Sequence, residues 1–450
     1  MEKSIAFVTL GCAKNTVYSE YMMGLVEKSS FVLEIDPEKS NVIVVNTCGF
    51  ITAAKEETIN TILQMAEYKE NGICNYLVAV GCMVQKYADE LSEAMPEIDL
   101  LLGSTSYDDI VKEVSALYTR DAARVHVDKA WKPMDYAREI ERQVSTANYY
   151  AYLTISEGCD NHCTFCAIPE MQGPYRSRPI EDILSEAEKL AKRGVKEIIV
   201  IAQDTTSYGK DLYGDYVLPQ LLHEMCKIQS IKWIRLLYAY PNHFTSDLIS
   251  CMAEEPKICK YVDIPLQHAN NDILRSMNRQ ITQEEIRTLI KKLRSAMPDI
   301  IIRSTFIVGF PGETQKEFED LLTFLRDVKL ERVGVFPYSQ EDNTPAGKMA
   351  SQLTETVKEE RASFLMEEQF DIMCARHLQF IGRNSHVFVD EIDEAQHLLL
   401  CRSYSEAPDV DPFVIVKVET DGYKVGDELN ITITGIDEYD LIGVRTDERA

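Results

Sequence analysis

Short apolar runs alternate with helical patterns along most of this chain, and that alternation limits its fold more than any other feature. IAFVTL, NVIVV and YLVAV are strand-like, with helical patterns around Ser19–Lys28 and Thr52–Tyr68 between them. Further runs follow: YAYLTIS, EIIVIAQ, IKWIRLLYA, YVDIPLQ, IIIRSTFIV and RVGVFPY. Strands that alternate with helices predict βα units and parallel sheets, because a parallel partner is reached only through a long crossover. Thr282–Glu285 and Thr314–Glu317 read as capping boxes, and Gly194 closes the helix that follows Pro179. Six successive units in the middle of the chain fit an incomplete TIM-like barrel, whose active site gathers at the carboxyl ends of its strands.

After a charged helical pattern, about Thr354–Leu378, the character changes. HVFVDEI, HLLLCRSY, FVIVKVE and LNITITGI are short, β-branched and separated by turn signals such as Asp421-Gly422, which predicts a small antiparallel barrel. The expected organisation is α/β. An N-terminal parallel α/β sheet domain spans 1–123, a polar linker 124–148, a central (β/α)6 barrel 149–378 and a small antiparallel β-barrel 379–450.

No apolar stretch reaches the roughly 20 residues that span a bilayer. MEKSIAFVTL also lacks the long apolar core and cleavage site of a signal peptide, so the expected place is the cytoplasm, with no membrane contact. Reducing cytosol disfavours disulfides, which turns the 12 cysteines toward metal binding or catalysis. A net charge of −26 argues against nucleic acid as the primary partner and for a basic one.

SEGCDNHCTFC places Cys159, Cys163 and Cys166 at the spacing CxxxCxxC directly after the first strand of the barrel. Three thiolates on one short loop suit three irons of a 4Fe-4S cluster, since soft sulfur ligands match iron-sulfur centres. With no fourth cysteine nearby, one iron stays open to chelate S-adenosylmethionine through its amino and carboxylate groups. One-electron cleavage of that molecule gives a deoxyadenosyl radical that abstracts hydrogen from an unactivated C–H. A zinc knuckle is the competing reading, but structural zinc normally completes four protein ligands.

Cys12, Cys48 and Cys82 each follow an apolar strand, at separations of 36 and 34 residues. That is close to one βα unit, so the three thiols are expected on one rim of a parallel sheet. Each touches a glycine, Gly11, Gly49 or Gly81, which permits close approach of the backbone to a bulky group. Cys74 precedes its strand and belongs at the far end. It reads as structural, as do Cys226, Cys251, Cys259, Cys374 and Cys401.

CxxxCxxC with Phe165 before its last cysteine resembles the radical S-adenosylmethionine superfamily. The resemblance implies that Phe165 lies near the adenine, though loop packing explains an aromatic there equally well. Gln203 and Asp204, Gln267 and His268, and Gly309 with Gly312 are further cofactor-binding candidates at strand ends, each equally readable as a turn residue. Taken with the leading triad and the trailing barrel, the whole chain resembles the methylthiotransferases. In that family both triads bind 4Fe-4S clusters and the last domain is the barrel called TRAM.

GCAKNTVYSE, CAIPEMQGPYRSRP, QDTTSYG and RSYSEAPDVDP resemble the RimO type, which modifies an aspartate of small-subunit ribosomal protein twelve. Tyr18 departs from that pattern, where aspartate is usual; Lys14 agrees with it. From Ile381 to Ala450 there are 6 Lys plus Arg against 16 Asp plus Glu, a net of −10. Such a barrel would repel tRNA and attract a basic ribosomal protein, unless the acids form an ordinary solvated face. The resemblance implies radical methylthiolation of the aspartate β-carbon with two S-adenosylmethionine molecules, one the radical source and one the methyl donor. A sulfur donor and an electron donor are then needed as partners. The rivals are a tRNA adenosine methylthiotransferase and a non-enzymatic iron-sulfur carrier.

Overall fold

The computed structural model describes residues 3–119, 123–128, 130–131, 141–418 and 422–446. They form two compact units. The first comprises Met1–Ser145, Thr154–Asp182 and Ser339–Gly347, and the second Thr146–Leu153, Ile183–Tyr338 and Lys348–Ala450. Among the described residues no helix is long and apolar enough to cross a membrane.

The first unit carries a parallel sheet of β1 (Lys3–Thr9), β2 (Phe31–Leu33), β3 (Val42–Thr47), β4 (Tyr76–Gly81), β5 (Leu100–Gly103) and β6 (Val125–His126), in spatial order β2-β1-β3-β4-β5-β6. Helices α1 (Ala13–Glu27), α2 (Thr52–Asn71), α3 (Cys82–Ala94) and α4 (Ile110–Leu117) supply the crossovers. β3 is buried at every position, as a strand covered on both faces must be. Its side chains alternate between two apolar clusters. Val42 and Val44 join Met22 and Val26 of α1 and Val114 of α4, whereas Ile43 and Val45 join Ile62 of α2 and Leu91 of α3. β6 lies within the stretch read as linker and pairs with Leu101 and Leu102 of β5.

β7 (Tyr150–Thr154) leads into an antiparallel pair, β8 (Ser156–Glu157) and β9 (Arg176–Ser177), with α5 (Ile168–Gln172) between them. In the second unit, β7 is followed by β10 (Glu197–Ile201), β11 (Trp233–Leu236), β12 (Ile258–Asp263), β13 (Ile301–Val308) and β14 (Arg332–Pro337). These are the six runs read from the sequence, and they lie side by side in chain order. The first and last are not neighbours, so the sheet stays open, as an incomplete barrel requires.

Among the described residues seven α-helices follow β9: α6 (Ile180–Lys192), α7 (Leu218–Cys226), α8 (Ser246–Glu254), α9 (Asn271–Ser276), α10 (Gln283–Ala296), α11 (Gln315–Val328) and α12 (Glu355–His377). Both expected capping boxes form, Thr282 with Glu285 and Thr314 with Glu317. Gly194 after α6 has φ +100°, a conformation that favours glycine.

At the end of α12, His377 is buried against Arg332, and burial with that neighbouring cation pushes its pKa from 6.5 down to about 3. An imidazole kept neutral when folded but charged when unfolded weakens the fold as pH falls. Stability is therefore expected to drop between pH 6.5 and about 3. Urea titrations across that range should give a shallower slope for His377→Gln, and an unchanged slope would count against this origin.

The C-terminal strands β15 (Asn384–Asp393), β16 (Leu398–Arg402), β17 (Val414–Lys417), β18 (Glu428–Asp437) and β19 (Asp440–Arg445) close into a barrel in the order β15-β16-β17-β19-β18. Val387, Val389, Leu399, Val414, Val416 and Ile431 fill it, and Cys401 is packed among them. The expected antiparallel pattern holds except where β17 meets β19, a parallel pair.

A buried ion network joins this barrel to the open sheet within the second unit. Glu197 of β10 accepts from Arg235 at 2.7 Å and from Arg402 at 2.9 Å, and Arg402 also reaches Asp390 at 2.6 Å. Tyr152 donates to Asp409 and Tyr261 to Asp411, each at 2.6 Å. Several acids of the C-terminal domain thus have internal partners, which lowers the negative field that a bare count of charges implies.

Candidate metal centre

β1, β3 and β4 are neighbours in register, with Thr9 opposite Asn46 and Thr47 opposite Gly81. Cys12, Cys48 and Cys82 follow these strands at the same edge of the sheet. Cys12 caps the N-terminus of α1 and Cys82 opens α3. A Cβ at Gly11 would stand 2.7 Å from Cys48 Cβ and 2.9 Å from its Sγ. The space beside Gly11 is therefore filled by Cys48 itself, which the missing side chain admits against the Cys12 loop.

Burial pushes the Cys82 thiol up to about 12; negative charge on Cys12 and Cys48 adds to the rise, whereas Gln172 and Lys14 oppose it. Cys48 is likewise raised by burial first, and by Cys12. Cys82 thus senses both other sulfurs and Cys48 senses Cys12, with buried Lys14 as a nearby cation. Among the described residues no three potential ligands converge on a single ion. The chemistry of an all-sulfur donor set at one edge suits an iron-sulfur centre. Cys74 lies at the other end of β4, buried in the core with its thiol toward Tyr76 O.

Cys159, Cys163 and Cys166 occupy the excursion between β8 and β9, and all are half-buried. The base of the loop is closed by Glu157 and Arg176 at 3.1 Å and by Cys159 N–H donating to Gly173 O at 3.1 Å. Asn161 Nδ2 and Ile168 N–H approach the sulfurs of Cys159 and Cys166, each at 3.5 Å. Phe165 is half-buried in the same loop.

Gly158 has φ +70°, and a Cβ there would stand 2.0 Å from Pro174 O. Gly158→Ala is therefore expected to open the base of the loop at a cost of about 1–3 kcal/mol. Limited proteolysis of the unloaded chain should cut within 158–175 several-fold faster, and an unchanged cleavage rate would refute the clamp.

Both triads belong to the first unit. Cys82, Ala167 and Met171 form one buried cluster, Ser104 Oγ donates to Met171 O at 2.5 Å, and Gln172 Nε2 donates to Cys82 Sγ at 3.0 Å. Gln172, Ser104 and Gly158 were not singled out from sequence. Ser104 and Gln172 meet partners 67 and 90 residues away, which no local pattern announces.

At the strand ends of the second unit, Gln203 and Asp204 follow β10, Gln267 and His268 follow β12, and Gly309 and Gly312 follow β13. Asp204 accepts from Thr206 Oγ1 and Ser207 Oγ, each at 2.7 Å, and so shapes its own turn. Gln267, at φ +74°, bridges to β13 through its backbone. Fully buried His268 accepts from Asn270 N–H at 3.0 Å, with Nε2 lying 3.5 Å from Glu313. A Cβ on Gly309 would meet Lys358 Cγ at 2.3 Å, and one on Gly312 would meet nothing. Asp204, Gln267, His268 and Gly309 make these turn and packing contacts, and Gln203 is half-buried.

Three family models match the chain: the radical SAM superfamily over 153–325, Uncharacterized protein family UPF0004 over 4–103 and the TRAM domain over 381–445. The chain is 45% identical to the ribosomal protein uS12 methylthiotransferase RimO of Acetivibrio thermocellus, over 98% of each chain. It is 46% identical to that of Desulforamulus reducens, over 98% of this chain and 99% of the relative.

Among solved structures it resembles the radical S-adenosylmethionine methyltransferase TsrM from Kitasatospora setae, described with cobalamin and a [4Fe-4S] cluster bound. That match has a TM-score of 0.55 and 13% identity, over 77% of this chain and 74% of that one. At that identity the likeness concerns the fold. The relatives, matched nearly end to end, decide the family: the chain belongs to the RimO ribosomal protein uS12 methylthiotransferases, enzymes built on a radical S-adenosylmethionine domain.

Proposed function

We propose that this chain methylthiolates the β-carbon of an aspartate on small-subunit ribosomal protein uS12, using two 4Fe-4S clusters and two S-adenosylmethionine molecules. The observation that carries the reading is the presence of both cysteine triads in one compact unit, joined by the buried Gln172–Cys82 contact. Cys159, Cys163 and Cys166 would hold the cluster that binds S-adenosylmethionine, and Cys12, Cys48 and Cys82 the other. When bound, these groups supply one-electron cleavage, hydrogen abstraction from carbon, and sulfur that a second S-adenosylmethionine methylates.

The protein's own contribution is position and exclusion of water. Gly158, Gly173 and the Glu157–Arg176 pair fix the loop of the second triad. Packing around Cys82 keeps solvent from that sulfur of the first, whose Cys12 and Cys48 are half-buried. Phe165 would lie against the adenine. Gln203, Asp204, Gln267, His268, Gly309 and Gly312 complete the proposed cofactor-binding set at the strand ends. The working domain limits are 1–123, 124–148, 149–378 and 379–450, with cytoplasmic sulfur and electron donors as partners.

The acidic C-terminal domain, with a net charge of −10, supports a basic protein substrate over tRNA. The test incubates reduced, reconstituted enzyme with uS12 and, separately, with tRNA, then weighs each product. A gain of one methylthio group on uS12 alone is expected. The same gain on tRNA alone would overturn the substrate, and reduction that releases no deoxyadenosine would leave only an iron-sulfur carrier.

A further inference from the structure

Gln172 is the last residue of α5, six positions after Cys166, yet its side chain serves the other triad: Nε2 donates to Cys82 Sγ at 3.0 Å. Both residues are buried, so water does not compete for the sulfur. The donor is also fixed from several sides. Met171 packs with Cys82 and Ala167, Ser104 Oγ holds Met171 O, and Arg176 Nη2 donates to Gln172 O at 3.1 Å. The next residue, Gly173, lies so close to Trp131 that a Cβ would fall 2.4 Å from the indole Cδ2. The amide therefore has little freedom to turn away.

A buried N–H aimed at a ligand sulfur stabilises the state in which that sulfur carries more negative charge. Hydrogen bonds to ligand sulfurs are among the levers that set the potential of an iron-sulfur centre. We infer that Gln172 is a positioning residue that raises the reduction potential of the cluster held by Cys82, and so links that potential to the folded state of the loop bearing Cys159, Cys163 and Cys166. This inference rests on the proposed cluster at Cys12, Cys48 and Cys82.

The test is an EPR-monitored redox titration of the full chain loaded with both clusters. The midpoint belonging to the first triad is the one missing from the Cys12→Ala, Cys48→Ala, Cys82→Ala chain. In Gln172→Leu that midpoint should move to lower potential, by on the order of tenfold in the oxidised-to-reduced ratio, which is about 59 mV for one electron. The other midpoint should stay in place. Gln172→Arg, which keeps a donor and adds a positive charge, should hold the midpoint at or above the wild-type value, whereas Gln172→Asn, one methylene shorter, should behave as Gln172→Leu. Should Gln172→Leu fail to load, the Arg and Asn variants give the same comparison. An unmoved midpoint with full iron content overturns the role of Gln172 and leaves the two-cluster reading standing. A wild-type chain without iron at the first triad overturns the cluster assignment and this inference with it.

Discussion

Alanine at Cys12, Cys48 and Cys82 together is expected to halve the iron, from about eight atoms per chain to about four, and to abolish methylthiolation of uS12 while deoxyadenosine release continues. Hydrogen abstraction and sulfur delivery are separate chemistries, so removing the ligands of one centre should uncouple them. Turnover should fall at least about a hundredfold, as expected when a group acts in an essential step. Cys74→Ala is the control, because its thiol packs in the core beyond the opposite end of β4 and should leave the iron unchanged. Iron and sulfide analysis with product mass spectrometry reads both quantities. Retained methylthiolation would remove the first triad from the reaction, and lost deoxyadenosine would give it a part in radical formation.

The largest loss of stability is expected from Glu197→Ala. Its carboxylate is fully buried between Arg235 and Arg402, and deleting it leaves two guanidinium groups without their shared counter-charge. Breaking such a buried pair costs about 3–5 kcal/mol, a large share of a typical total. Denaturant unfolding of the full chain should show that loss, and a change below about 1 kcal/mol would mean that water or Asp390 compensates.

The network also predicts acid sensitivity. Burial alone would raise the Glu197 pKa, but Arg402 and Arg235 outweigh it and hold the carboxyl below its ordinary 4.5. Its contribution is therefore complete above pH 4.5 and is lost as pH falls through the lower, folded value.

What the sequence disclosed depended on how local the cause was. Thr282 and Glu285 specify a helix start three residues apart, and Val42–Thr47 declares a buried strand by composition, so both were legible. The common rim of Cys12, Cys48 and Cys82 was legible because crossover length fixes where parallel strands end. β2, β5 and β6 escaped notice: FVL, LLLG and VH are too short for a periodicity to show. Gln172 and the internal partners of Asp390, Asp409 and Asp411 were illegible for another reason. Their meaning comes from residues brought together by tertiary folding, and a charge count treats a buried acid and a solvated one alike.

The first unit gathers three stretches of the chain, the last of them Ser339–Gly347, where Glu341 pairs with Lys55 at 2.7 Å. A polypeptide emerges from its N-terminus, and domains ordinarily fold as their residues become available. Here the strands beside Cys12, Cys48 and Cys82 end at His126, whereas the last segment of the same unit, Ser339–Gly347, is made more than two hundred residues later. A nascent chain stalled before Ser339 therefore lacks the Glu341 partner of Lys55 and leaves this unit incomplete.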